Sequence, residues 1–185
     1  MKKTINIIIF VLLISLGLTG CRSSAGKDAE KTANEFGLDI YMVSSEEVDN
    51  YGKLLSLKTT DTKELDEAIR VNDNTLKDLM TADAYDKLLK NRENLIFAQA
   101  CYEGRYTIQV SDLRLSENTY DIKENKAGYN YEAELKFISE DGTEHTESAK
   151  GFIGLIKEDG AWKVSEYRNT VPDYIESTLS GKTII

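Results

Sequence analysis

Proline, cysteine and histidine are almost absent from this chain of 185 residues. Proline occurs once, at Pro172, histidine occurs once, at His145, and the two cysteines are Cys21 and Cys101. Two cysteines exclude a disulfide-rich scaffold, so packing must hold the folded part together. A lone histidine predicts no metal site of the common kind that uses several imidazoles, and we expect no metal or other cofactor.

Positive charge is also scarce. The chain has 23 lysine and arginine residues against 32 aspartate and glutamate residues, which gives a formal net charge of −9. No basic stripe follows the sequence, and this excludes nucleic acid as an expected partner. Apolar residues make up 41% of the chain, which is enough for one packed core in a chain of this length.

The first 20 residues are typical of a secretory signal. Lys2 and Lys3 precede an apolar run from Ile5 to Leu18, and small residues follow it. The run is shorter than the roughly 20 residues of a membrane-spanning helix. A true transmembrane helix and an ordinary signal with a chance cysteine remain the alternatives. Removing this segment would make the net charge two units more negative.

Leu18-Thr19-Gly20-Cys21 resembles the lipobox of bacterial lipoproteins. This resemblance implies that Cys21 is the lipidation site, that it receives a diacylglycerol, and that cleavage makes it the first residue. The protein would then be anchored by its N-terminal lipid at the extracytoplasmic face of the cell membrane. Two acyl chains hold a protein far more firmly than one.

Periodicity divides the rest of the chain into a helical half and a strand half. The predicted segments are a polar tether over 21–28, a helical segment over 29–60, an α+β domain over 61–170 and a C-terminal tail over 171–185. Helical spacing predicts a helix over 29–43, and Ser44 with Glu47 matches a capping box that opens a second helix. Further helices are predicted over 61–80, from Thr81, and from Leu95 to Gly104.

After residue 104 the apolar period changes from 3.6 to 2, which predicts four antiparallel strands. Alternation begins at Tyr106 and changes parity near Ser111–Asp112, where we expect a β-bulge. A polar loop is predicted over 118–128, and a clear strand follows it. Asp141-Gly142 and Asp159-Gly160 are hairpin signals. Helices followed by an antiparallel meander predict an α+β fold in which N-terminal helices pack on a curved, roughly four-stranded, cone-like sheet.

Two stretches carry a family resemblance: Leu79 to Leu89, at a helix turn, and Gly151 to Val164, in the last hairpin. With the order of elements, they resemble the nuclear transport factor 2-like (cystatin-like) domains. Such domains are common in Gram-positive lipoproteins and in envelope proteins of conjugative elements. The resemblance implies a cone with a pocket between helices and sheet, but a fold does not fix a function.

No catalytic motif stands out. Cys101 with His145 could form a nucleophile and base, but the apolar helical setting of Cys101 favours a buried, inert thiol. Glu144-His145-Thr146-Glu147 is read as a solvated strand edge. The acidic runs are Glu46-Glu47-Asp49, Asp61 to Glu67 and Glu140-Asp141. They lack calcium-loop spacing, and we expect them on a solvated surface. Asp112 and Asp121 match no recognisable motif.

The aromatic residues of the strand half are the remaining binding candidates. Tyrosine and tryptophan are favoured at pockets and interfaces, where one end of the side chain is buried and the other is exposed to solvent. The candidate binding residues are Tyr102, Tyr106, Tyr131, Trp162 and Tyr167. The competing interpretation is that they pack the sheet on the helices, and for Trp162 we expect a role in stability first.

The sequence therefore predicts a lipid-anchored, non-catalytic binding or accessory protein. Its partner would be an envelope protein, such as a component of a conjugation apparatus. One alternative is a small-molecule receptor that uses the cone pocket. An enzyme of the isomerase or dehydratase type is the other alternative.

Overall fold

The computed structural model describes residues 24–57, 74–121 and 123–181. Cys21 and most of the predicted helix over 61–80 lie outside these residues. The described helices are α1 Ser24–Asp39, α2 Ser45–Ser56, α3 Asn74–Leu79, α4 Ala82–Lys90, α5 Glu93–Gly104 and α6 Asp173–Leu179. The strands are β1 Tyr106–Asp121, β2 Lys126–Ser139, β3 Glu144–Glu158 and β4 Ala161–Asn169. The predicted α+β class is confirmed.

The four strands form one antiparallel sheet in the order β1-β2-β3-β4. Both predicted Asp-Gly turns join neighbouring strands. At the β3–β4 turn, Asp159 and Gly160 have φ values of 49° and 84°. Two successive positive φ angles match the type I′ turns that suit the twist of a two-residue hairpin.

The predicted bulge in β1 is confirmed by a register shift between Val110 and Asp112. This shift explains why the apolar alternation of β1 changes parity. The extra residue at the bulge turns Leu113 toward the same face of the sheet as Ile108, and both side chains pack with the core beneath the helices. The prediction of a polar loop over 118–128 was wrong. β1 continues to Asp121 and β2 begins at Lys126, because main-chain pairing extends the hairpin through polar residues.

One face of the sheet is buried, and the other is exposed to solvent. Alternate residues of β2 from Tyr129 to Phe137 are buried, as expected for a strand with one side against a core. On the opposite face Glu132 pairs with Arg114 at 3.4 Å and with Lys150 at 3.2 Å. The helices therefore cover one face alone.

Helix α1 runs along the sheet from one end to the other. Near its start, the Tyr129 hydroxyl donates to the Gly26 carbonyl at 3.4 Å. Beyond its end, Val43 exchanges two main-chain hydrogen bonds of 3.0 Å with Ile108, which pairs with Phe137. The distance from Tyr129 to Phe137 is about 26 Å along a strand.

Helix α1 begins five residues before the predicted start at Ala29. Residues 24–28 are therefore helical, although a flexible tether was expected over 21–28. Gly26 is buried against the sheet, and this contact continues the helix through a small, polar sequence that gives no helical signal by itself.

The C-terminal tail predicted over 171–185 contains helix α6. Ile175 is fully buried, and the Glu147 carboxylate accepts the Tyr174 N–H at 3.1 Å. A carboxylate at a helix start satisfies donors that have no partner within the helix. Tertiary contacts thus stabilise a helix of only seven residues.

The capping box at Ser44 and Glu47, the helix that Thr81 opens, and the helix that ends at Gly104 are all confirmed. No helix within the described residues combines the length and the apolar character needed to cross a membrane.

Trp162 is buried, with the Tyr120 ring 6.3 Å away. We expect Trp162→Ala to lower the free energy of unfolding by about 3–5 kcal/mol, because truncation leaves a cavity in the core. Urea unfolding would measure the loss. Trp162→Phe is the control and should lose less, since the indole Nε1 has no hydrogen-bond partner among the described residues. An unchanged midpoint for Trp162→Ala would contradict this role.

Candidate functional site

A groove of about 660 Å³ lies at the end of the sheet opposite the start of α1. Helix α2 forms one wall, and the end of α5 with the adjoining strand ends forms the other. We call it the α2–sheet groove. Its lining residues are Ser45, Val48, Asp49, Tyr102, Glu103, Arg105, Tyr106, Thr107, Ile138, Ser139 and Glu140.

Tyr102 is the most prominent apolar group of this groove, with 43% of its surface exposed. Its ring lies 5.7 Å from the buried ring of Tyr51. It also lies against Gly52, where an added Cβ would come within 2.9 Å of the Tyr102 ring. Gly52 therefore leaves the space that the aromatic ring occupies, so helix α2 holds an exposed tyrosine in place.

The groove carries an excess of negative charge. Three carboxylates line it, those of Asp49, Glu103 and Glu140, against the single guanidinium of Arg105. All four side chains are exposed, and none forms an ion pair with another described residue. Burial raises the pKa of Tyr51, and the negative charge of Glu103 raises it further.

The backbone is strained where α5 meets the groove. Arg105 has a φ of 55° in the left-handed region and donates its N–H to the Cys101 carbonyl. This conformation costs a non-glycine residue about 1–2 kcal/mol. The Arg105 carbonyl accepts the Glu140 N–H at 3.2 Å, and this hydrogen bond joins the end of α5 to the β2–β3 turn. Two charged residues of the groove are thus held by main-chain bonds.

The structure brings two of the five aromatic candidates together. Tyr102 and Tyr106 both line the α2–sheet groove, although Tyr106 is buried and 3% exposed. The Tyr106 ring lies 5.2 Å from Tyr174 of α6, so α6 backs this wall. Burial raises the pKa of Tyr106.

The other three candidates lie elsewhere. Tyr131 is buried, and its hydroxyl lies 2.9 Å from that of Tyr41. Burial raises the pKa of Tyr41 to about 12 and that of Tyr131 as well, so both stay neutral. Tyr167 is partly buried and donates to Glu93 beside a separate groove of about 360 Å³. Trp162 belongs to the core.

Cys101 and His145, the possible nucleophile and base, do not line the groove. Cys101 is fully buried, and burial raises the pKa of its thiol. His145 stacks on Tyr174 at 4.5 Å, and its Nε2 lies 3.0 Å from Glu147. Among the described residues, no group of three or more His, Cys, Asp or Glu side chains could hold a metal ion.

The charged part of this groove was not predicted from the sequence. Asp49 and Glu140 fall in acidic runs that were expected on a solvated surface, and Glu103 and Arg105 had no expected role. Nearly a hundred residues separate Asp49 from Glu140, so no local pattern connects them. The glycine at position 52, inside an amphipathic helix, was the one local signal of a close approach.

Comparisons with known proteins leave the family open. No protein-family model matches the chain, and no curated protein matches it. The predicted membership of the nuclear transport factor 2-like domains stays a prediction.

Three of the solved structures that match this chain show how weak such similarities are. The proposed transfer protein TraH of the Gram-positive conjugative plasmid pIP501 is 16% identical, with a TM-score of 0.42, over 80% of this chain and 94% of TraH. The intermembrane-space region of the chloroplast protein ARC6 is 12% identical, with a TM-score of 0.30, over 62% and 99%. A Mycobacterium tuberculosis protein of unknown function is 14% identical, with a TM-score of 0.29, over 47% and 59%. TM-scores this low do not establish a shared fold.

We expect Cys101 to be inert in the folded protein. The thiolate is the reactive form, and burial both raises the thiol pKa and blocks access. A thiol reagent should label native protein slowly and urea-denatured protein quickly at the same pH. Cys21→Ala protein provides the sample in which Cys101 is the sole thiol. Fast labelling of the native form would contradict the assignment.

Proposed function

We propose that this chain is a lipid-anchored, extracytoplasmic, non-catalytic binding protein whose partner occupies the α2–sheet groove. The partner is a protein of the cell envelope. A component of a conjugation apparatus is one such partner, and only the sequence resemblance suggests it.

The observation that carries the proposal is the exposed, fixed ring of Tyr102 in a groove of about 660 Å³. Tyrosine is enriched among the residues that contribute most to protein–protein binding, because it offers a large rigid surface. Gly52 and Tyr51 hold the ring in position before any partner arrives, so little side-chain freedom is lost on binding.

The position of the groove suits a protein anchored at Cys21. Helix α1 begins at Ser24, three residues after the predicted lipidation site, and packs at the far end of the sheet. The groove then lies on the side directed away from the bilayer, about 26 Å further along the strands. An anchored chain would present it to proteins of the envelope.

Packing of the interior favours this proposal over the receptor alternative. Large side chains fill the space between the helices and the sheet, among them Phe36, Tyr41, Phe97 and Tyr129. A small molecule would have to bind in the α2–sheet groove instead. The buried Cys101 likewise favours binding over catalysis by a thiol.

Photo-crosslinking in cells tests the binding site. A photoreactive amino acid replaces Ser45, at the groove, or Lys150, on the outer face of the sheet, as the control position. We expect a crosslinked protein from position 45 and none from position 150. Tyr102→Ala should reduce the crosslink strongly.

Gly52→Ala separates binding from stability. The added methyl group must displace the Tyr102 ring, whereas alanine favours the helix by about 1 kcal/mol over glycine. The crosslink from position 45 should weaken while the thermal midpoint holds or rises. If both Tyr102→Ala and Gly52→Ala leave the crosslink intact, the groove is not the binding site.

Lipid attachment is tested at Cys21. Cys21→Ala protein lacks the thiol that the diacylglycerol requires, so it should lose palmitate labelling and remain uncleaved or leave the membrane. Cys101→Ala is the matched control and should keep its label. Equal labelling of Cys21→Ala and the parent would contradict lipidation.

A further inference from the structure

We infer that the occupant of the α2–sheet groove is a cationic segment of a partner protein that places a large apolar side chain on Tyr102. This inference rests on the proposed function, and it adds the chemistry of the partner. Charge and surface at the groove carry it.

The first argument is electrostatic. The lining offers three carboxylates, those of Asp49, Glu103 and Glu140, against one guanidinium. These carboxylates converge from α2, from the end of α5 and from the β2–β3 turn. Complementary charge selects a partner, and like charge repels the wrong one. An anionic segment, an anionic lipid headgroup or a second copy of this acidic chain meets repulsion here.

The second argument concerns the apolar part. The apolar part of the lining includes Tyr102, Val48 and Ile138, and we call these three residues the apolar floor of the groove. A side chain such as tryptophan or leucine would cover this floor, while lysine or arginine beside it would meet Asp49 and Glu140. A small inorganic cation would leave the apolar floor uncovered.

Strand addition does not explain the groove. At this end of the sheet, Val43 already takes both main-chain bonds of Ile108 on the free edge of β1. The occupant is therefore bound through side chains, so its composition decides whether it binds.

Three fluorescent peptides of equal length test this chemistry on the full chain purified in a neutral detergent. One carries lysines around a tryptophan, the second replaces the lysines by glutamates, and the third replaces the tryptophan by glycine. We expect the first to bind, with an affinity that falls as salt rises. The second and third should bind about tenfold more weakly, because each lacks one of the two contacts.

Two triple variants provide the matched comparison. Asp49→Asn with Glu103→Gln and Glu140→Gln should weaken binding of the first peptide about tenfold, because three exposed charge pairs are lost. The control variant combines Glu124→Gln, Glu158→Gln and Glu166→Gln, which makes the same change of charge toward the opposite end of the sheet. It should leave binding unchanged. Equal binding of the glutamate peptide, or no effect of the groove variant, would overturn the inference.

The crosslink from position 45 distinguishes the two levels of failure. If it depends on Tyr102 but survives in the triple groove variant, the groove is the site and the cationic partner is wrong. If it is insensitive to Tyr102→Ala, the proposed function fails. A crosslink between two copies of this chain would overturn the cationic partner in favour of self-association.

Discussion

Burial of one face of the sheet beneath α1 and α5 is the interaction on which the rest of this structure depends. The described residues contain no disulfide, and Cys101 is a free, buried thiol. Apolar burial must therefore offset the conformational entropy of the chain. Phe36, on α1, and Phe97, on α5, reach the same core as the inner face of β2. The α2–sheet groove lies beside this core, between α2, the end of α5 and the adjoining strand ends.

Polar groups within and beside the core fix which elements meet. The Tyr41 hydroxyl donates to the Thr170 carbonyl at 3.4 Å, so in the buried pair it accepts the hydrogen bond of the Tyr131 hydroxyl. Glu147 holds the start of α6. A buried polar group without a partner costs about 1–3 kcal/mol. Such pairs therefore oppose other arrangements of the same apolar surfaces.

Local patterns predicted the elements of the fold well, and their failures have a common cause. The bulge after Val110, the two Asp-Gly turns and the Ser44 capping box all follow from nearest-neighbour chemistry. The end of β1 and helix α6 were missed, because partners distant in sequence stabilise them. Asp121 is extended because Lys126 pairs with it. Helix α6 forms because Glu147 accepts a main-chain hydrogen bond from its first turn and because its apolar side packs in the core. The start of α1 at Ser24 depends in the same way on a contact with Tyr129.

The sequence by itself determined the α+β class, the strand order and the aromatic residues worth testing, because alternation and turn chemistry are local. It also predicts lipidation at Cys21, since that signal lies in consecutive residues. Only the tertiary structure decided that Tyr102 is exposed while Tyr131 and Trp162 are buried. It alone brought Asp49, Glu103 and Glu140 to one groove, because side chains from three separate elements meet only when helices pack on a sheet.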